Sequence, residues 1–75
     1  LDRRDFMKKI RAEDMKDLPF GTKVVVTYPN NKDNKPNSYT GVKVANKIAY
    51  ENGVEDDICI LEEQLTNNIC YVFIL

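Results

Sequence analysis

The chain has 75 residues, 43% of them hydrophobic, and a formal net charge of −1, which favours one small folded domain over a disordered segment. It contains no histidine and only two cysteines, so its composition excludes histidine-based acid–base chemistry and the usual zinc-binding sets. Its longest apolar run, 69–75, is too short to cross a bilayer as a helix. With no apolar signal-peptide core near its start, we expect a cytoplasmic protein with free thiols and no metal, cofactor or membrane contact.

The first predicted element is an amphipathic helix over residues 1–18. Asp2 and Asp5 have the spacing of a capping box at the start of a helix. The helix should end near Asp17, because Pro19 disfavours helical backbone in the residue before it. The apolar side chains that fall on about half of the helical circumference are Phe6, Met7, Ile10, Met15 and Leu18.

The next predicted elements are a strand, a polar loop and a bent pair of strands. β-Branched residues indicate a strand over 22–28 that ends at Pro29. Residues 30–38 are almost wholly polar and predict a solvated loop. Alternation over 39–51 predicts strands divided by a bend near Asn46. It places one row, Val42, Val44, Ile48 and Tyr50, opposite a second row, Lys43, Ala45, Lys47 and Ala49.

A hairpin turn is predicted at residues 51–53. A three-residue loop with Gly53 in the left-handed region keeps the apolar residues of the following strand on the inner face, whereas a two-residue loop does not. This register also sets Lys47 opposite Asp57, which predicts a cross-strand ion pair. The pairs it predicts are Tyr50 with Val54, Asn46 with Ile58, and Val44 with Ile60.

The chain should then form one helical turn and a final strand. Leu61 and Leu65 have the i,i+4 spacing of a single turn. The final strand, 69–75, is apolar on both faces, with Ile69, Tyr71, Phe73 and Leu75 opposite Cys70, Val72 and Ile74. Such a strand needs cover on both sides, from a barrel interior and from a helix or a second subunit.

This order of elements resembles the small five-stranded barrels of the Src-homology-3 type over residues 20–75. We therefore predict a mainly β (α+β) fold in a single domain over 1–75, with an N-terminal helix over 1–18 and an SH3-like antiparallel barrel of five strands. Peptide-binding members of that class carry a tryptophan pair and an aromatic-acidic motif in the first long loop. Because this chain has no tryptophan and no such motif, the resemblance does not imply recognition of proline-rich peptides.

Five residues are candidates for contact with a ligand or partner. Tyr28 and Tyr39 flank the polar loop, where they form an aromatic platform or, alternatively, cap the core. Lys23 and Lys43 are predicted on the outward face of neighbouring strands, where they could meet an anion. Arg11 belongs to the basic helix, whose interleaved acids favour a solvated mixed face over a docking surface.

These features support two functional hypotheses and no enzyme. No serine or cysteine has a histidine to activate it, and the acidic triplet 55–57 lacks a calcium-loop pattern and should face water. The first hypothesis is a non-catalytic interaction module that forms a homo-oligomer or binds a host protein. The alternative is a binder of an anionic ligand, a nucleotide or nucleic acid, such as a phage-encoded inhibitor or sponge acting against host defence. Its support is that all 11 Lys and Arg lie in residues 1–50.

Overall fold

A computed structural model describes residues 8–29 and 37–75. Within this part of the chain, six strands form one antiparallel sheet in the order β1-β6-β2-β3-β4-β5. The elements in chain order are β1 (Lys8–Ile10), a 3₁₀ helix (Ala12–Asp17), β2 (Lys23–Thr27), β3 (Ser38–Val44), β4 (Lys47–Tyr50), β5 (Glu55–Asp57), α1 (Ile58–Thr66) and β6 (Tyr71–Ile74). None of the helices in these ranges is long and apolar enough to cross a membrane.

The core lies between one face of the sheet and the two helices, which contact each other. We call this the inner face of the sheet and the opposite one the outer face. Alternation along each strand places every second side chain inward. The buried apolar side chains are Ile10, Met15, Leu18, Val24, Val26, Ile48, Tyr50, Ile58, Leu61, Cys70 and Val72.

The predicted mainly β fold is confirmed, but the closed five-stranded barrel is wrong. Within the described ranges the sheet is open, with β1 at one edge and β5 at the other. A sixth strand, β1, pairs with the side of β6 that does not face β2. At the other edge β5 is only three residues long, because the chain enters α1 at Ile58. The two edge strands therefore do not pair with each other.

The predicted N-terminal helix is also wrong where the structure describes it. Lys8 pairs with Ile74 and Ile10 with Val72 in the β1–β6 ladder, and this pairing buries Ile10. Only Ala12–Asp17 is helical, and it ends before Pro19 as predicted. A backbone ladder with β6 therefore prevails over the local helical pattern. The proposed capping residues Asp2 and Asp5 lie outside the described residues, as does segment 30–36 of the predicted loop.

A tight turn at Ala45 and Asn46 corrects the predicted faces of β3. Ala45 has a left-handed backbone, with φ of 47°, and the turn pairs Lys43 with Ile48. A two-residue turn reverses the odd–even relation between the strands it joins, so Lys43 and not Val44 shares the inner face with Ile48. The predicted row of inward residues was therefore wrong for Val42 and Val44 of β3 and right for Ile48 and Tyr50 of β4.

The hairpin between β4 and β5 follows the predicted three-residue loop. Gly53 has a φ of 89°, and the Tyr50 amide donates a hydrogen bond of 2.8 Å to the Val54 carbonyl. The register sets Lys47 opposite Asp57 as predicted, but the predicted ion pair with Asp57 is wrong, because Lys47 pairs with Glu55 at 3.3 Å. The predicted pairing of Val44 with Ile60 is wrong, since the chain has entered α1 by that point.

Helix α1 is longer than the single turn that the sequence predicts, and it ends in a left-handed residue. Asn68 has a φ of 59°, and its amide donates to the Leu65 carbonyl at 3.1 Å. The Ile69 amide donates to the Gln64 carbonyl at 2.8 Å. This pair of bonds is a Schellman motif, which turns the chain into β6.

The two faces of the final strand are those that the sequence predicts for residues 70–74, whereas the predicted start of the strand at Ile69 is wrong, because β6 begins at Tyr71. Cys70 and Val72 are fully buried on the inner side, whereas Tyr71 and Phe73 lie on the outer face and are only partly buried. Phe73 pairs with Val25 of β2 across the centre of the outer face.

Candidate functional site

The described residues form a pocket of about 520 Å³ at one end of the inner face. We call it the tyrosine pocket because three of the chain's tyrosines wall it. Its lining residues are Tyr28, Tyr39, Tyr50, Asn52, Val54, Asp56 and Ile69.

Each tyrosine is carried by a different strand or strand end. Tyr28 follows β2, and its amide donates to the Asn37 carbonyl at 2.7 Å. Tyr39 lies in β3, opposite Val26. Tyr50 ends β4 opposite Gly41. A Cβ atom at Gly41 would stand 3.0 Å from the Tyr50 ring and 2.7 Å from the carbonyl oxygen of residue 49, so the glycine makes room for this wall of the pocket.

The three rings meet at steep angles. The Tyr28 and Tyr39 centroids are 6.1 Å apart with the ring planes at 74°. The Tyr39 and Tyr50 centroids are 5.9 Å apart with the planes at 59°. Edge-to-face contacts of this kind stabilise aromatic clusters. The rings therefore form angled walls of a box rather than two parallel sides of a slot.

Asp56 provides the charge of the pocket. It pairs with Ile48 in the β4–β5 ladder, so its side chain lies on the inner side of the sheet. The Tyr50 hydroxyl donates a hydrogen bond of 2.8 Å to Asp56 Oδ2. Within residues 8–29 and 37–75, Asp56 has no Lys or Arg at ion-pair distance. The nearby Lys47 instead pairs with Glu55 at 3.3 Å.

Burial and the Asp56 carboxylate hold the neighbouring groups in their protonated forms. Burial, with a smaller contribution from Asp56, raises the pKa of Tyr28 to about 12. Burial raises the pKa of Tyr50 still further, and its hydrogen bond to Asp56 adds to the effect. Burial, followed by the charge of Asp56, raises the pKa of the Cys70 thiol to about 11. At neutral pH the pocket therefore presents neutral phenols, a neutral thiol and one carboxylate.

Gln64 of α1 ties the helix to the floor of the pocket. The Tyr28 hydroxyl donates to Gln64 Oε1 at 3.2 Å, and the Cys70 thiol donates weakly to the same oxygen at 3.8 Å. Both tyrosines that the sequence singled out, Tyr28 and Tyr39, also pack against the core. They therefore cap the core and wall the pocket at the same time.

The three predicted basic residues do not join the pocket. Lys43, predicted on the outward face, is 5% exposed, and its Nζ donates to the Leu18 carbonyl at 2.8 Å and to the Lys16 carbonyl at 3.4 Å. It therefore fastens the end of the 3₁₀ helix to the sheet. Lys23 is exposed in β2.

Arg11 lies on the surface in a local ion-pair cluster. Its guanidinium is 3.2 Å from the Glu13 carboxylate and 3.4 Å from that of Asp14. All three side chains are exposed, so the cluster contributes little to stability. The sequence favoured a solvated face of mixed charge for Arg11, and the exposed ion pairs with Glu13 and Asp14 have that character.

Five of the seven pocket residues were missed as candidates from the sequence: Tyr50, Asn52, Val54, Asp56 and Ile69. The acidic triplet 55–57 was expected to face water, but strand alternation turns Asp56 inward and its two neighbours outward. The register of the three-residue loop already carried this information, since it places Asp56 opposite Ile48. Both cysteines, Cys59 and Cys70, are free thiols as predicted.

Comparisons of the chain with protein-family models, curated proteins and solved structures found no match.

Proposed function

We propose that the protein is a small non-catalytic binding module and that it binds its partner in the tyrosine pocket. The observation that carries this proposal is the convergence of Tyr28, Tyr39 and Tyr50, from three separate strands, on one cavity of about 520 Å³. Aromatic walls with a few placed polar groups are typical of ligand sites. Tyrosine is also enriched among the residues that dominate protein–protein binding energy. The free thiols support a cytoplasmic location.

The protonation states in the pocket support binding rather than catalysis. A nucleophilic cysteine needs a lowered pKa, and a general base needs one near the working pH. The pKa of Cys70 lies at about 11 and that of Tyr28 at about 12. Neither group is prepared to attack or to remove a proton at neutral pH.

The charge of the pocket argues against an anionic ligand at this site. Asp56 would repel a phosphate. Of the basic candidates, Arg11 is exposed and ion-paired, Lys23 is exposed in β2, and Lys43 is buried with a structural role. A partner that offers an apolar or cationic group therefore suits this pocket better than a nucleotide or nucleic acid.

The test is an NMR titration of the ¹⁵N-labelled chain with phenol, a neutral probe that any aromatic pocket should accept. We expect amide shift changes at residues 28, 39, 50–56 and 69. The Tyr39→Ala variant should lose them, whereas Tyr71→Ala, which removes the tyrosine of the outer face, should keep them. Changes centred on Phe73 and lost in Tyr71→Ala would contradict the proposal.

A second function, self-association, is favoured by the outer face. Val25 and Phe73 pair at its centre and are only partly buried, since both helices lie on the inner side. A symmetric dimer is the common way to cover such a surface.

Sedimentation equilibrium tests this second function. We expect twice the 8.7 kDa mass of one chain for the original sequence and a single-chain mass for Phe73→Lys. Phe20→Lys is the matched control, since Phe20 is the most exposed large apolar side chain among residues 8–29 and 37–75 but lies outside the sheet. A single-chain mass for the original sequence would refute self-association.

A further inference from the structure

The shape of the tyrosine pocket selects against a planar ligand stacked between two of its rings, although a small ring such as phenol can still contact one wall edge to face. A planar ring inserted between two aromatic side chains needs their faces parallel, because stacking brings ring faces together. The pocket rings instead meet at 74° and 59°. Rings set at such angles leave no parallel gap between them, which suits a rounded group more than a planar one.

The electrostatics of the pocket select for positive charge. Aromatic faces carry negative potential and attract cations within about 6 Å of the ring centroid. Asp56 adds a full negative charge that no basic residue of the described chain neutralises. Tyr50 occupies one of its oxygens, and an ionised carboxylate keeps further acceptor capacity on both.

The hydrogen-bonding inventory of the site selects for an alkylated cation over a bare one. A primary ammonium needs acceptors for three N–H groups, and it is strongly hydrated in water. Two acceptors of the lining are already engaged, Asn52 Oδ1 by the Val54 amide at 3.0 Å and Asp56 Oδ2 by the Tyr50 hydroxyl at 2.8 Å. The other lining residues are tyrosines and the aliphatic Val54 and Ile69. Methyl groups on the nitrogen need no acceptors and pack against such walls.

From this geometry we propose that the tyrosine pocket binds an alkylated ammonium group carried on a short alkyl chain. The three rings surround the methylated nitrogen, Asp56 balances its charge, and Val54 and Ile69 contact the chain. A cavity of about 520 Å³ holds such a group together with its chain. The chemistry is shared by methylated lysine side chains and by free quaternary amines. This inference rests on the proposed function and adds the ligand class.

The test compares choline with 3,3-dimethylbutan-1-ol, its neutral isostere in which carbon replaces nitrogen, by NMR titration of the ¹⁵N-labelled chain. We expect choline to bind at least about tenfold more tightly, the factor that corresponds to a cation–π contribution of intermediate strength. The Asp56→Asn variant should bind choline more weakly with its affinity for the isostere unchanged, because the rings still attract the cation but its counter-charge is gone; unchanged choline affinity would overturn the role of Asp56. Asp57→Asn, which removes the same charge from the outward side of β5, is the matched control and should bind choline as the original chain does.

The outcomes separate this inference from the proposed function. Equal affinity for choline and its isostere would overturn the inference, while phenol binding at the same residues would leave the proposed function intact. No binding of choline, isostere or phenol would overturn both. The amide spectra of both variants, recorded without ligand, verify that each folds.

Two further probes identify the source of the group. N-acetyl-trimethyllysine methylamide binding more tightly than choline would support a methylated lysine of a protein partner, and the reverse order would support a free quaternary amine. The corresponding unmethylated lysine amide should bind at least about tenfold more weakly than its trimethyl form, again by the cation–π scale. Equal binding of these two lysine amides would overturn the preference for an alkylated nitrogen.

Discussion

The replacement of Lys43 by methionine tests how the 3₁₀ helix is fastened to the sheet. Lys43 is buried, and its Nζ donates to the Leu18 carbonyl at 2.8 Å and to the Lys16 carbonyl at 3.4 Å. Methionine preserves the length of the side chain but removes the charge and all donors. Both carbonyls then lose this partner.

The structure sets opposing contributions to the free energy of unfolding. A hydrogen bond to a charged group contributes about 1.5 to 3 kcal/mol, and a buried carbonyl left unsatisfied costs about 1 to 3 kcal/mol. Against this, methionine relieves the desolvation of the ammonium, which costs several kcal/mol in a buried site. Because the Nζ of Lys43 is directed at carbonyls near the end of a helix, where positive charge is favoured, we expect a net loss of about 2 kcal/mol.

Urea unfolding followed by circular dichroism measures this loss, and thermal unfolding should show a midpoint lower by about 10 °C. The matched control is Lys23→Met, the same chemical change at an exposed position of β2, which should stay within about 0.5 kcal/mol of the original chain. A Lys43→Met protein as stable as Lys23→Met would show that the hydrogen bonds of Lys43 to the Lys16 and Leu18 carbonyls do not stabilise the fold.

Three further predictions concern small changes at single positions. Gly53→Ala should lower the free energy of unfolding in urea by about 1 kcal/mol, because φ is 89°, where alanine is disfavoured. Gly41→Ala should cost about 1 to 3 kcal/mol through overpacking, because its Cβ would stand 2.7 and 2.8 Å from neighbouring atoms. A larger loss for Gly53→Ala than for Gly41→Ala would contradict these assignments. At pH 8 a thiol-specific disulfide reagent should modify the exposed Cys59 rapidly and Cys70 only on unfolding, and equal rates would show that Cys70 is not buried. The Tyr28 pKa rises from 10.0 to about 12 on folding, so the stability that its protonated hydroxyl contributes is present below pH 10 and is lost between pH 10 and 12. Tyr28→Phe should therefore flatten the fall in the free energy of unfolding over that range. An unchanged slope of stability against pH would contradict the raised pKa.

Local turn chemistry made part of the fold predictable from the sequence. Gly53 specified a left-handed residue, and the requirement for an apolar inner face then fixed the register of the β4–β5 hairpin. The alternation of β6 likewise gave the correct faces. These features depend on residues close together in the chain, so the sequence pattern carries them directly.

Non-local pairing and an unusual turn account for what was missed. Nothing local indicates that Lys8–Ile10 pairs with β6, more than sixty positions away, and the amphipathic pattern there favoured a helix. Ala45 is not a residue that normally marks a left-handed turn, so the reversal of faces at β3 could not be predicted. That reversal is what buried Lys43, which the sequence had placed on the outside.

The candidate site was predicted only in part, for the same reasons. Tyr28 and Tyr39 were named because they flank the polar loop. Tyr50 was assigned to the inner row, but only the folded sheet shows that it meets the other two rings. Asp56 was hidden in an acidic triplet whose members strand alternation sends to opposite faces.

The most direct test of the tyrosine pocket is an intermolecular NOE measurement between the N-methyl protons of choline and the tyrosine ring protons. The chain carries four tyrosines, three in the pocket and Tyr71 on the outer face beneath the Lys9 ammonium, so the protein contains its own control. We predict NOEs to the rings of Tyr28, Tyr39 and Tyr50 and none to Tyr71. NOEs to Tyr71 alone, or to no tyrosine at choline concentrations that saturate any amide shift changes, would contradict the assignment of this pocket as the binding site.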